Sequence, residues 1–308
     1  MATLTFPKTL LEAVTYFSDN TRCVEYLTKT FWPNGVICKC GSQRVTLLKT
    51  RQLWQCKDCR KQFSIKVNTV FENSALPLTK WLPAVWLLTN AKNGISSCEL
   101  SRSLGISQHS TWFMLHRIRE ALRNGSLAKL SGTVESDESW VGGKEANRHI
   151  SQRGGKRQGR KDDKTLVHGL LERGGEVRAQ VVENQKMRTL IPIIHANVEA
   201  GATLYTDALQ SYKNLRTMYS HDFVDHGFEY VRGDVHTNTI ENYWSLVKRM
   251  LKGTYIHTEP FHLDRYLDEQ GFRYNTRKGN DQSRFELAIS QVVGKRLTYK
   301  ELTGASAE

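Results

Sequence analysis

The sequence predicts an α/β domain in its carboxy-terminal half, preceded by a small cysteine-bearing β segment and a helical segment. Three observations carry this. Strand-like and helix-like patterns alternate after about residue 130. Four cysteines crowd between positions 38 and 59, and apolar residues recur at helical intervals from about 79 to 125.

A chain of 308 residues has room for two or three cores rather than one. Lysine and arginine total 44 against 31 acidic residues, and the resulting net charge of +13 favours a polyanionic partner, most simply nucleic acid. No uncharged apolar run is long enough for a membrane helix. The opening MATLTFPKTLLEAVTYF has neither a basic start nor a small-residue cleavage site, so a cytoplasmic, nucleoid-associated protein is expected. In that compartment cysteines stay reduced, and a cluster of them reads as metal ligands rather than as a disulfide framework.

The amino-terminal residues 1–34 predict one helix with Leu10, Leu11, Val14 and Phe17 on its apolar side. Cys38 and Cys40 follow, then fifteen residues, then Cys56-Lys-Asp-Cys59. Two tight turns on neighbouring hairpins can bring four thiolates to one tetrahedral Zn²⁺, and the fold is too small to hold together on apolar burial alone. The first turn is C-x-C where C-x-x-C is usual, which leaves the identity of one ligand open. Four thiolates leave no position for chemistry, so the zinc expected here is structural.

The stretch CELSRSLGISQHSTWFMLHRIREAL predicts a helix, a glycine turn, the N-cap Ser107 and a second helix with Trp112, Leu115 and Ile118 inward. That is the outline of a helix-turn-helix, whose second helix would present Gln108, His109 and Thr111 to the bases of a major groove. A helical hairpin in a core has the same apolar spacing.

In the carboxy-terminal half, Thr133 to Val141 reads as a strand, and Thr165 to Leu171 with Val177 to Val182 as a hairpin turned by Gly174-Gly175. A helix from Met187 to Asn197, a strand from Thr203 to Thr206 and an amphipathic helix from Asn238 to Leu251 follow. The basic, glycine-rich stretch 148–164 reads as a loop. Strand alternation puts Glu135 and Asp137 on one face and Ser136 and Glu138 on the other. Asp207 ends its strand, and Glu241 opens the last helix, on the same side as Lys248 seven residues on. Three carboxylates offer the hard oxygen ligands that paired Mg²⁺ or Mn²⁺ ions require.

Taken in order, WPNGVICKCGS, WQCKDCRKQFS, KNGISSCELSRSLGISQHSTWFMLHRIREAL, VESDESWVGG, YTDALQSY, HTNTIENYWSLVKR and YLDEQGFRYNTR resemble the zinc-ribbon insertion-sequence transposases of the ISXO-like group. The resemblance covers nearly the whole chain. It implies a D-D-E catalytic domain of ribonuclease H-like fold with Asp137, Asp207 and Glu241 as ligands of two catalytic Mg²⁺ or Mn²⁺ ions. It also implies recognition of element ends by the amino-terminal modules, and a homo-oligomer on double-stranded DNA. The third acid varies in that group, so Asn242 stays beside Glu241 as the alternative ligand, and His236 and Asn238 are candidates for contacting substrate or metal. Lys248 and Arg249 are expected on phosphates.

The expected domains are an amino-terminal helical segment 1–34, a zinc ribbon 35–75, a helix-turn-helix segment 76–125, a catalytic domain 130–290 and a tail 291–308. The expected reaction is phosphodiester hydrolysis at an element end followed by strand transfer. The competing readings are a DNA-binding regulator with an inactive catalytic domain, and a nuclease of the same fold.

Overall fold

The computed structural model describes residues 5–123, 128–142, 164–207, 210–224 and 233–304. Contacts divide the chain into two compact units, Met1–Arg123 with Lys278–Glu308, and Asn124–Arg277.

The first unit begins with two helices where the sequence predicts one. Helix α1 (Leu10–Tyr16) carries a capping box between Thr9 and Glu12, and α2 (Asn20–Phe31) starts afresh at Asp19, whose carboxylate accepts from Thr21 N–H. Ala13 and Phe17 are buried, whereas Leu10, Leu11 and Val14, expected inside, are exposed.

A three-stranded antiparallel sheet follows, made of β1 (Val45–Leu48), β2 (Leu53–Cys56) and β3 (Gln62–Phe63). Its apolar content is slight. Trp54 stacks on Phe63 at 6.1 Å and meets Trp32 edge-on at 5.5 Å. Three helices come next: α3 (Leu78–Asn90), α4 (Ser97–Leu104) and α5 (Gln108–Leu122). Ser96 and Ser107 cap α4 and α5, and Gly105 ends α4 at φ +61°, the left-handed conformation a helix stop requires.

Residues 278–304, which the sequence reading divides between the end of the catalytic segment and a tail, group with these helices. Helix α9 (Asp281–Ser290) supplies Phe285 to Trp86 at 5.2 Å and to Phe17 at 5.4 Å. The short α10 (Tyr299–Thr303) closes the unit. Helices α6 to α8 belong to the second unit.

That second unit is built on a five-stranded sheet of β4 (Thr133–Val141), β5 (Thr165–Glu172), β6 (Val177–Val181), β7 (Thr203–Asp207) and β8 (Ser220–Val224), in the order β6-β5-β4-β7-β8. Pairing is antiparallel from β6 to β4 and parallel from β4 to β8. The predicted hairpin turns at Gly174, with φ +76°.

Helices cover both faces. On one, α6 (Met187–Asn197) and a 3-10 segment, Gln210–Thr217, pack Leu190, Ile194, Tyr212 and Leu215 onto Val134, Leu170 and Leu204. On the other, α7 (Asn238–Met250) and α8 (Leu263–Asn275) pack Ile240, Trp244, Val247 and Leu267 onto Val167 and Leu171. Among the described residues no helix is long and apolar enough to cross a membrane. The basic stretch 148–164 lies, Lys164 apart, outside the described residues.

Candidate metal centre and acidic site

Four cysteine sulfurs converge in the first unit, all within 4.8 Å of one another. Cys38 Sγ is 3.6 Å from Cys59 Sγ, and Cys40 Sγ is 3.7 Å from Cys56 Sγ. Sulfurs about 2.3 Å from a tetrahedral Zn²⁺ stand about 3.8 Å apart, so the set fits that ion.

The shortened first turn is thereby explained. Gly41, at φ +87°, donates back to Cys38 O at 2.8 Å, and this single turn aims both Cys38 and Cys40 inward. The backbone N–H of Cys59, with that of Asp58, points at Cys56 and brings its thiol down to about 6, toward the thiolate that binds metal. Structural zinc in a Cys₄ ribbon is what this donor set supports.

In the second unit the alternation along β4 is as the sequence predicts. Ser136 and Glu138 face α6: Ser136 Oγ lies 3.0 Å from His168 Nε2, Glu138 accepts from the buried Tyr212 hydroxyl, and Gln185 Nε2 donates to Glu138 at 3.4 Å. Burial raises the Glu138 carboxyl to about 7 and lowers His168 to about 4.

Glu135 and Asp137 face α7. Glu135 pairs across the parallel ladder with Tyr205, and two residues further on each strand come Asp137 and Asp207. Asp137 accepts from the indole N–H of Trp244 at 3.0 Å. Burial first, then the negative charges of Asp207 and Glu241, raise its carboxyl to about 6. Asp137 therefore feels the charge of both other acids, although the three are not gathered as tightly as the cysteines. Mutual repulsion among carboxylates is what a divalent cation converts into coordination, and the donors are of the hard oxygen type such ions take.

Glu241 is exposed in the first turn of α7, and Asn242 is exposed beside it. Lys248 and Arg249 are exposed in the last turn of α7, Asn238 is exposed at its start, and His236 Nδ1 lies 3.5 Å from Glu135.

Of the residues expected to face bases, Gln108 and His109 are exposed; Gln108 donates to Ser97 Oγ at 2.8 Å, and His109 Nε2 lies 3.1 Å from the Tyr299 hydroxyl. Thr111 does not fit that role. It is fully buried, with its hydroxyl donating to Ser107 O at 2.8 Å. The inward face of α5 runs through Thr111, Met114, Leu115 and Ile118, so Trp112, expected inside, is only half-buried.

Sequence pattern alone gives no role to Glu135, Arg173 or Tyr212. Glu135 was visible as the acid sharing a face with Asp137, but its partner Arg173 is 38 residues away, and pattern does not connect them.

A mixed sheet with acids at its centre and a separate Cys₄ ribbon is the organisation of a DDE-type transposase preceded by a zinc-binding module. Residues 129–275 match the ISXO2-like transposase domain, and residues 18–62 match the transposase zinc-ribbon domain. An uncharacterized protein in transposable element ISH50 of Halobacterium salinarum is 31% identical over 250 residues, covering 76% of this chain and 84% of that protein. An uncharacterized transposase-like protein of Haemophilus influenzae is 34% identical over 122 residues, 39% of this chain and 94% of the relative. A crystal structure of a pre-cleavage Mos1 transpososome is matched over 70% of this chain and 79% of that one at 14% identity, with a TM-score of 0.23, too low to carry an argument. The chain belongs to the ISXO2-like transposase family.

Proposed function

We propose that this transposase binds the ends of its insertion sequence and catalyses phosphodiester hydrolysis there, followed by transfer of the freed 3′ end to target DNA. The observation that carries the reading is the placing of Asp137 and Asp207 on adjoining parallel strands, with the helix bearing Glu241 bonded over them through Trp244. The strand order and the mixed pairing directions support a ribonuclease H-like domain.

In this reading Asp137, Asp207 and Glu241 hold Mg²⁺ or Mn²⁺, which when bound supplies positive charge to the attacking and leaving oxygens. The protein's part is positioning. Asp137 is held by the Trp244 indole, Asp207 by its place at the strand end, and Glu241 by the start of α7. Lys248 and Arg249, exposed on the same helix, bind phosphates of the strand being cut, and the fixed charges act in a site walled by the sheet. Gln108 and His109 read element ends from the start of α5, and the zinc ribbon docks alongside on the duplex. Two or more copies act together, one at each end, in the cytoplasm where the nucleoid lies.

Strand cleavage and joining on labelled element-end DNA with Mg²⁺ or Mn²⁺, in the wild type and in Asp207→Ala, tests this. Metal-dependent joining lost in the variant supports the proposal. Cleavage without joining would favour a nuclease, and end binding with neither reaction a regulator.

A further inference from the structure

Glu135 is fully buried yet carries a carboxylate, and burying a charge is costly unless it is paired and hydrogen-bonded. Its partners are specific. Oε1 accepts from Arg173 Nε at 2.7 Å and from Thr239 Oγ1 at 2.9 Å, and Oε2 accepts from the backbone N–H of Ile240 at 2.9 Å. Arg173 in turn donates to Asp234 O at 3.0 Å and to His236 O at 2.9 Å, with its guanidinium over the Tyr205 ring at 4.9 Å.

These bonds join three pieces of chain: β4, the hairpin after β5, and the segment that enters α7. The N-cap Thr237 makes no side-chain cap bond, so the carboxylate from β4 takes the place of a local cap at the positive end of the helix dipole. Ile240 immediately precedes Glu241, and Glu135 lies two residues before Asp137 on the same face of β4. Trp244 supplies the second tie between the same helix and the same strand, one turn along.

We propose that Glu135 is a positioning residue that fixes the start of α7, and so Glu241, relative to Asp137, with Arg173 as the clamp that holds the Glu135 carboxylate in place. The inference rests on the proposed role of the three acids. Partners standing behind metal ligands change metal affinity or activity by about 10- to 100-fold when lost.

The test uses the full, zinc-loaded chain as wild type, Glu135→Gln, Arg173→Gln and the double variant. Mn²⁺ affinity is measured by titration, and end cleavage is followed over a range of Mn²⁺ concentrations. Zinc content and melting temperature report folding. Glu135→Gln is expected to weaken Mn²⁺ binding about 10- to 100-fold, with cleavage recovering as Mn²⁺ is raised, and the double variant is expected to be no worse than the weaker single one. Metal rescue would not be produced by a merely structural role.

Wild-type Mn²⁺ affinity in a folded Glu135→Gln, or cleavage lost at every Mn²⁺ concentration with affinity intact, overturns the inference. If Glu135→Gln does not fold, Thr239→Val removes one of the same bonds and is read by the same titration. Failure of the wild type to bind Mn²⁺ or to cleave would instead overturn the reading of the acids, and this inference with it.

Discussion

The indole N–H of Trp244 donates to Asp137 Oδ2 at 3.0 Å, so the helix that carries Glu241 is bonded to the strand that carries the first acid. The rest of the indole fills the space above Gly169, which pairs with Asp137 across the β4–β5 ladder. Hydrogen bond and packing thus converge on one residue. Trp244→Phe keeps most of the ring and loses the donor, and hydrogen bonds to charged groups contribute about 1.5–3 kcal/mol. Chemical denaturation should show a loss of that order, with end-DNA binding retained.

Gly169 is the complementary case. A Cβ there would stand 2.7 Å from Trp244 Cζ2, 2.8 Å from Cη2 and 3.0 Å from Ile240 Cδ1. The indole and the first turn of α7 would have to move away from the sheet. Gly169→Ala should cost about 1–3 kcal/mol by overpacking, and should reduce cleavage further than its loss of stability explains. Equal cleavage by the variant and the wild type at a temperature where both are folded would refute this.

Zinc removal should act locally. The sheet β1–β3 has little apolar burial beyond Trp54, Phe63 and Trp32, so the metal carries its stability. One zinc per chain is expected by elemental analysis. A chelator, or Cys40→Ser, should release it and speed amide exchange at residues 45–63, while amides of β4 and β5 stay protected.

Acid should expose the buried pair behind the sheet. Burial lowers His168 from about 6.5 to about 4, so the folded protein disfavours its protonation and the stability it contributes is lost as pH falls from 6.5 toward 4. Glu138, raised from 4.5 to about 7, has the opposite sign, because protonating it favours the folded state, and the two slopes oppose each other in the wild type. In a Glu138→Gln background the acid loss should be steeper. Adding His168→Gln should flatten it again, as read by urea unfolding between pH 4 and 7.

Recognition and phosphate binding should separate. Gln108→Ala and His109→Ala are expected to reduce the preference for element ends over random DNA by about 1–3 kcal/mol each. Lys248→Ala should weaken binding to all sequences alike and lower the salt dependence by about one unit of slope. Competition binding at several salt concentrations distinguishes the two, and a uniform loss from Gln108→Ala would remove that residue from base reading.

The sequence alone determined what depends on neighbours along the chain. Strand alternation put Glu135 and Asp137 on one face, the glycine turn and the Ser107 cap marked the break between α4 and α5, and the cysteine spacing defined a metal cluster. Local spacing failed at Asp19, whose cap starts a second helix where one was expected, in α1, where Leu11 lies in solvent, and in α5, where Thr111 rather than Trp112 faces inward.

Only the tertiary structure decided which distant residues meet. Asp137 and Asp207 come level because β4 and β7 are parallel neighbours, Glu241 comes near enough for its charge to act on Asp137 because of how α7 is anchored, and Arg173 reaches Glu135 from the turn after β5. The physical reason is that periodicity records which side of its own element a residue occupies. The packing of elements, set by the burial of Ile240, Trp244 and Val247 against the sheet, records what stands opposite.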